Sequence, residues 1–308
     1  MKVSVVMPAY NAEKYIVEAI QSVLQQDFED FKLIIVNDGS TDKTREIING
    51  CTSNKIITYD LPVNCGNAVA RNIGIKLSGD CEYIAVMDAD DICHKNRLKR
   101  QASFLDENRD IHILGSNIQI FNEELSSPVK TIAHPTEDSS IKPRLLLLNG
   151  TAMSHPSSMM RVSFIADNHK LYPPPLRGHL GIDHEFWISC IPNGVKFHAL
   201  KDVLLFKRRH KDNISADSSK TGPLAERKTE IRSRLLSIFY PGLNRIELLA
   251  LATLLEEGKQ PSFDELSSGY IAAKMAAQDK KSHFGEDKSM ILNFFQNAIN
   301  KHLTKLKS

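Results

Sequence analysis

The sequence predicts an α/β fold, a mainly parallel sheet flanked by helices on both faces. Two observations predict it. Short apolar runs of strand length alternate with segments of helical period over the first hundred residues, and acidic side chains recur just after the carboxyl ends of those runs. An open parallel sheet binds its ligands at the carboxyl ends of its strands, so the second observation points to a site as well as a fold.

The elements follow in order. Val3-Ser4-Val5-Val6-Met7 reads as a buried strand stopped by Pro8, and the segment from Asn11 onward sets Ile16, Ala19, Ile20, Val23 and Leu24 on one helical face. Leu33 to Val36 is a second strand, running into Asn37-Asp38-Gly39-Ser40-Thr41-Asp42 ahead of a polar helix around Lys43 to Ile48. Ile56 to Tyr59 makes a third strand, Ala68 to Leu77 a third helix and Tyr83 to Met87 a fourth strand. Asp88-Ala89-Asp90-Asp91 comes directly after it. Carboxylates there suit a hard divalent cation such as Mg²⁺ or Mn²⁺, which takes oxygen ligands and shares them with substrate phosphates. An acidic cap on the following helix is the structural alternative.

Asp38 on another strand end and Arg71 on an intervening helix complete an arrangement that fits a nucleotide. A carboxylate accepts hydrogen bonds from a base edge or ribose, and an arginine offers a planar fork to base or phosphate. On residue type alone, Asp38 also fits an Asx-type turn with Gly39, and Arg71 a solvated helix face.

Taken in order, Val5-Val6-Met7-Pro8-Ala9-Tyr10-Asn11, Asn37 to Asp42, Asn64-Cys65-Gly66-Asn67-Ala68-Val69-Ala70-Arg71-Asn72-Ile73-Gly74 and Met87-Asp88-Ala89-Asp90-Asp91 resemble the family 2 glycosyltransferases of the GT-A fold. The resemblance implies an inverting, metal-dependent transferase that uses a nucleoside-diphosphate sugar, with UDP the expected nucleotide. Pro8, Tyr10 and Asn11 would begin the nucleotide pocket, and Asp38 and Arg71 would contact the nucleotide. Asp88, Ala89 and Asp90 would meet ribose and metal, with Asp90 the direct ligand of Mn²⁺ or Mg²⁺. Asp91 either serves the site from behind or caps the helix beginning near Lys95.

Gly181-Ile182-Asp183-His184-Glu185-Phe186-Trp187 resembles the family's acidic catalytic motif, with Ile182 where a Glu is usual. The resemblance makes Asp183 the general base and leaves Glu185 as a substitute for the missing charge. As a residue pattern, Asp183 is equally a helix N-cap, since Phe186, Trp187, Ile188 and Ile191 follow at helical spacing. The run Leu204 to Ser215 resembles the end of the family's catalytic domain, which implies that Arg208 and His210 contact the diphosphate and that His210 is also a metal ligand. Without it, Lys207 to Lys211 reads as a solvated basic run. Ser154 to Arg161 matches a His-Pro-Ser strand of the family, where His155 lines a sugar pocket or is a buried structural histidine. Pro173-Pro174-Pro175 with Arg177, Gly178 and His179 reads as a rigid then flexible loop placed to gate an acceptor.

Composition bounds the rest. At 308 residues and 42% hydrophobic, the chain holds a sizeable core, expected as a catalytic domain over 1–215, with a nucleotide half (1–110) and an acceptor half (111–215), followed by a helical region over 216–308. Asp212 to Pro223 reads as the linker. A net charge of +2 argues against a nucleic-acid footprint. Five cysteines without metal-type spacing predict reduced thiols in the cytoplasm, and neither a signal peptide nor a membrane-spanning run is expected. In the tail, Arg245 to Leu255 is an apolar helix, Ser262-x-x-Glu265 is a capping box, and Lys280, Lys281, Lys288, Lys301, Lys305 and Lys307 make a basic surface. That surface fits peripheral contact with the inner face of a membrane, or else a solvated cap or a homo-oligomer contact.

The expected reaction moves a sugar to a hydroxyl of a bacterial-type surface glycan or glycolipid. A sugar nucleotidyltransferase would carry a Gly-rich phosphate loop near its first strand, which Val3 to Asn11 lacks, and Gly39 to Thr44 lacks the first glycine of a P-loop. The remaining alternative is a catalytically silent sugar-nucleotide or glycan-binding protein. Intact Asp88, Asp90, Asp183 and His210 argue against it.

Overall fold

A computed structural model describes residues 1–123, 128–147, 152–168, 171–172, 182–210, 213, 221–256, 261–280 and 288–307. The expected linker and the Pro173 to His179 loop lie largely or wholly outside the described residues. The N-terminal elements are β1 (Val3–Ala9), α1 (Ile16–Leu24), β2 (Phe31–Asn37), α2 (Thr44–Gly50), β3 (Ile56–Asp60), α3 (Asn67–Leu77) and β4 (Tyr83–Val86). Then come β5 (Ile92–Cys93), α4 (Arg97–Glu107), β6 (Ile113–Asn122), β7 (Pro128–Ile132), α5 (Asp138–Leu145), β8 (Met159–Arg161), α6 (Val162–Asp167), α7 (Ile182–Cys190) and β9 (Phe197–Arg209). Four helices end the chain: α8 (Thr221–Phe239), α9 (Arg245–Leu254), α10 (Phe263–Gln278) and α11 (Lys288–Lys307).

Strand β1 is buried at every position because it lies between β2 and β4 with helices over the sheet, which is why its sequence is continuously apolar rather than alternating. The order β3-β2-β1-β4 is parallel throughout, so the carboxyl ends of β1, β2 and β4 fall on one edge and deliver Tyr10, Asp38 and Asp88 there. Beyond β4 the sheet becomes mixed: β8 pairs antiparallel with β4 and β6, β9 runs parallel to β6, and β5 and β7 add antiparallel pairs. Strict alternation of strand and helix ends at β4, since β5 follows β4 and β7 follows β6 with no helix between them.

Helix α1 begins at Ile16, the first residue of its apolar period, a turn beyond Asn11 where the segment starts. Asn11 has φ 48°, a left-handed conformation that cannot start a helix, and the helix opens at Ile16 with Ile16, Ala19, Ile20 and Val23 buried. The His155-Pro156-Ser157 segment, expected as a strand, is a 3₁₀ turn that leads into β8, with proline near the start of the turn where its missing N–H costs nothing.

The chain forms two compact units. One comprises Met1–Thr136, Met153–Phe186 and Val195–Asp217, and the other Glu137–Ala152, Trp187–Gly194 and Ser218–Ser308. In the second, α9 and α10 start with complete capping boxes at Asn244 with Glu247 and at Ser262 with Glu265. Leu254, Leu266 and Ile299 pack together there, and Gly269 leaves room for the Leu254 side chain, which a Cβ would meet at 2.5 Å. The five cysteines are free thiols. Among the described residues, no helix is long and apolar enough to cross a membrane.

Candidate functional site

The loops after β1 and β2 lock to each other. Asn11 accepts a hydrogen bond from the Thr41 backbone N–H at 2.9 Å, and its own N–H donates to Ser40 Oγ at 3.1 Å. Pro8 lies within buried β1, and Tyr10 is exposed. Asp38 is buried, and its two oxygens accept the N–H groups of Cys65 at 2.7 Å and Gly66 at 2.9 Å. It therefore orders the approach to α3 over long range, a different arrangement from a local turn with Gly39. Gly39 itself (φ 65°) lies so close to the Val63–Asn64 backbone that a Cβ would meet it at 2.3 Å.

Helix α3 carries Arg71 into the protein rather than onto a solvated face. The side chain is buried, donating to Asp88 Oδ1 at 2.7 Å and to Asp183 Oδ1 at 3.3 Å. The acids in turn raise its already high pKa, against the pull of burial. One planar fork thus joins the strand-end acids to the acid of α7.

Asp88, Asp90 and Asp91 each offer a carboxylate oxygen within 4.8 Å of the others. Burial pushes Asp88 and Asp91 up, Asp91 well above the usual carboxylate range, and the neighbouring Asp90 adds to both; Arg71 opposes the shift at Asp88 and Lys207 at both. Asp91 Oδ1 accepts the Arg208 N–H at 3.0 Å, whereas its buried Oδ2 has no hydrogen-bond partner among the described residues. The acid thus supports the end of β9 and does not cap α4, whose N-cap is Asn96. Three hard oxygen donors, one of them a buried orphan, fit a divalent cation. His210 Nε2, 2.9 Å from Asp90 Oδ2, adds an imidazole of the kind Mn²⁺ accepts.

Strand β9 brings its basic end to this loop because Phe206 pairs with Ile92 of β5. Arg208 is buried, not solvated. It donates from Nε to the Asp90 carbonyl at 3.0 Å and from its terminal nitrogens to the Glu123 carbonyl and the Glu18 carboxylate, with the Tyr15 and Phe121 rings 4.8 and 4.7 Å from the guanidinium. These donors tie the acidic loop to α1 and to Glu123 just beyond β6. Asn213 Nδ2 reaches Asp90 Oδ2 at 3.1 Å, and its Oδ1 accepts the His210 N–H at 2.6 Å.

Asp183 lies in the first turn of α7, where the helix dipole favours its charged form. Burial alone would raise its pKa, yet His155 first and Arg71 next hold it below the ordinary carboxylate range. His155 is itself lowered to about 3 by burial, so at neutral pH Arg71 is the cation of the two that keeps Asp183 ionised. Both neighbours approach the same oxygen, Oδ1, with His155 Nδ1 at 3.5 Å.

The Glycosyl transferase family 2 model matches residues 4–167. The chain belongs to this family. A glycosyltransferase of Methanocaldococcus jannaschii is 33% identical over 216 residues, 68% of this chain and 72% of that protein. A Rickettsia bellii glycosyltransferase is 36% identical over 188 residues, 61% of this chain. The chain spans 26% of that relative's length, and 30% of the Rickettsia felis relative's. Among solved structures, Staphylococcus aureus TarS 1-349 in complex with UDP-GlcNAc has a TM-score of 0.64 at 21% identity, covering 98% of this chain and 89% of that one. That likeness shows the shared GT-A fold.

In this family 2 glycosyltransferase, three residues join the cluster without having been singled out from sequence. Lys207 stands in the field of Asp91, Asp88, Asp90 and Asp183, which raises its pKa against burial. Tyr172 touches His155, Arg71 and Phe186. Asn72, next to Arg71, bonds the Tyr172 backbone. Lys207 was hidden within a basic run, and Tyr172 has no motif around it.

Proposed function

We propose that the protein is an inverting glycosyltransferase that moves a sugar from a UDP-linked donor to a hydroxyl of a surface glycan or glycolipid. The observation that carries this reading is Arg71, whose guanidinium holds Asp88 at 2.7 Å and Asp183 at 3.3 Å and so spaces donor-side acids and base. TarS, a fold neighbour crystallised with UDP-GlcNAc, supports UDP as the nucleotide.

In this reading the Tyr10–Asn11 and Asp38 loops receive the nucleotide, and Asp90 and His210, with Asp88 and Asp91 beside them, hold a divalent cation. When bound, such a cation stabilises negative charge on a departing diphosphate. Lys207 offers its ammonium to the same charge, and Arg208 keeps the acidic loop and His210 in register. Asp183 accepts the proton of the acceptor hydroxyl as that oxygen attacks the anomeric carbon opposite the diphosphate. One carbon–oxygen bond forms as another breaks, so the anomeric configuration inverts. General-base assistance of this kind is typically worth about 10²–10⁴-fold in rate.

The test is a screen of nucleotide sugars by thermal shift with and without Mn²⁺, followed by turnover. A native-state ligand at about 100 times its Kd stabilises by about 2.7 kcal/mol. Asp90→Asn is expected to lose the Mn²⁺-dependent part of that shift, and Asp183→Asn to keep donor binding while losing turnover. Near-normal turnover in a folded Asp183→Asn protein removes the base assignment.

A further inference from the structure

The side chain of Tyr172 meets three functional groups at once. Its hydroxyl lies 2.6 Å from His155 Nε2, its ring centroid is 5.7 Å from the Arg71 guanidinium, and its ring stacks on Phe186 of α7 at 4.3 Å and 19°. The residue is 3% exposed. Its backbone is fastened in both directions by one side chain: Asn72 Nδ2 donates to the Tyr172 carbonyl at 2.9 Å, and the Tyr172 N–H donates to Asn72 Oδ1 at 2.8 Å. Asn72 is the helical neighbour of Arg71, so α3 sets both the arginine and the tyrosine beneath it.

The direction of the hydrogen bonds follows from chemistry. His155 is neutral at working pH and carries one ring proton. Its Nδ1 lies 3.5 Å from a carboxylate oxygen of Asp183, a contact without hydrogen-bond geometry, and the negative charge there favours the ring proton on Nδ1 over Nε2. Nε2 is then the acceptor, and the Tyr172 hydroxyl must donate to it. Tyr172 therefore donates to His155, whose opposite ring nitrogen faces the same Asp183 Oδ1 that receives Arg71.

We infer that Tyr172, fastened by Asn72, is a positioning residue for the base: it fixes the tautomer and plane of His155 and supports Arg71, and through them aims the Asp183 carboxylate at the acceptor. This rests on the reading of Asp183 as the base. A misplacement of about 1 Å at such a group costs roughly 10²-fold in rate, whereas donor binding uses other loops.

Tyr172→Phe keeps the ring on Phe186 and under Arg71 and removes only the hydroxyl. Two measurements test it, the ring ¹⁵N shifts of His155 and steady-state turnover with UDP-N-acetylglucosamine and Mn²⁺ as the probe. The expected result is a mixed His155 tautomer in place of a single Nδ1–H form, kcat lower by about 10- to 100-fold, and an unchanged donor KM and melting temperature. Asn72→Ala is expected to lower kcat similarly, and the double variant to lose no more than the worse single one, as residues acting as a unit do. An unchanged His155 tautomer in Tyr172→Phe overturns the inference, and this readout stands even where Asn72→Ala fails to fold. So does a loss confined to KM, or losses that simply multiply. Asp183→Asn in the same assay separates the two ideas: full activity there removes the base itself, while its inactivity beside a fully active Tyr172→Phe removes only the positioning role.

Discussion

Arg71 is a buried cation with carboxylates at 2.7 and 3.3 Å, and what it provides is geometry as much as charge. Lysine at this position would keep the charge and lose the fork, so it could hold one acid but not space two. Arg71→Lys is expected to fold and to lose about 10²-fold in kcat/KM, measured on the UDP-sugar that the screen identifies; a loss under about threefold would show that spacing is not its role. Asp91 makes the opposite case, a buried acid lacking a partner on one oxygen among the described residues. Its pKa is raised in the folded protein, so its stabilising contribution is present while it is protonated and is lost as pH rises through the folded value. Without metal, Asp91→Asn is therefore expected to gain in melting temperature over the parent as pH rises from about 4 toward neutrality. Mn²⁺ is expected to reverse the order by stabilising only the parent. A pH-independent difference would show that Asp91 is not the strained group.

At the scale of elements, the site depends on how closely α3 lies on β1. Gly74 of α3 faces Val6, and a Cβ there would meet Val6 Cγ1 at 2.4 Å. Val6 is buried and β-branched, so its χ1 is restricted. Gly74→Ala is expected to cost about 1–3 kcal/mol by urea denaturation, and to be partly recovered with Val6→Ala, which opens the space again. Equal stability of Gly74→Ala and the parent would mean that the helix can lift. Since Arg71 and Asn72 ride on the same helix, such a lift would be read in turnover as well.

At the scale of the whole molecule, the second compact unit draws two internal segments, Glu137–Ala152 and Trp187–Gly194, to the C-terminal helices. Within it Arg232 of α8 is buried and donates to the Leu146 carbonyl at 2.8 Å, and Leu145, Leu146 and Trp187 are almost fully covered. A chain ending at Ala216 keeps those apolar segments and loses the helices of their own unit. It is expected to aggregate or to melt well below the full chain, checked by size-exclusion chromatography and thermal unfolding. A soluble monomer with an unchanged melting temperature would show that the internal segments are stable without α8 to α11.

The sequence by itself determined the parallel half of the sheet, because strands buried on both faces must be continuously apolar and helices covering them must repeat with a period near 3.6. It also determined that Asp38 and Asp88 to Asp91 follow strands, and the ordered blocks around them carried the family. Only the tertiary structure decided where Arg71 and Arg208 go, since one buried arginine and one solvated arginine have the same local sequence signature and differ in the acids that distant segments bring to them. The same holds for His155, whose neutral state comes from burial among residues far from it in the chain, and for Tyr172, which has neither a period nor a motif to announce it. Local patterns record which face of an element is apolar; which polar groups meet across a hundred residues is set by strand order and register, and a single chain does not write that down.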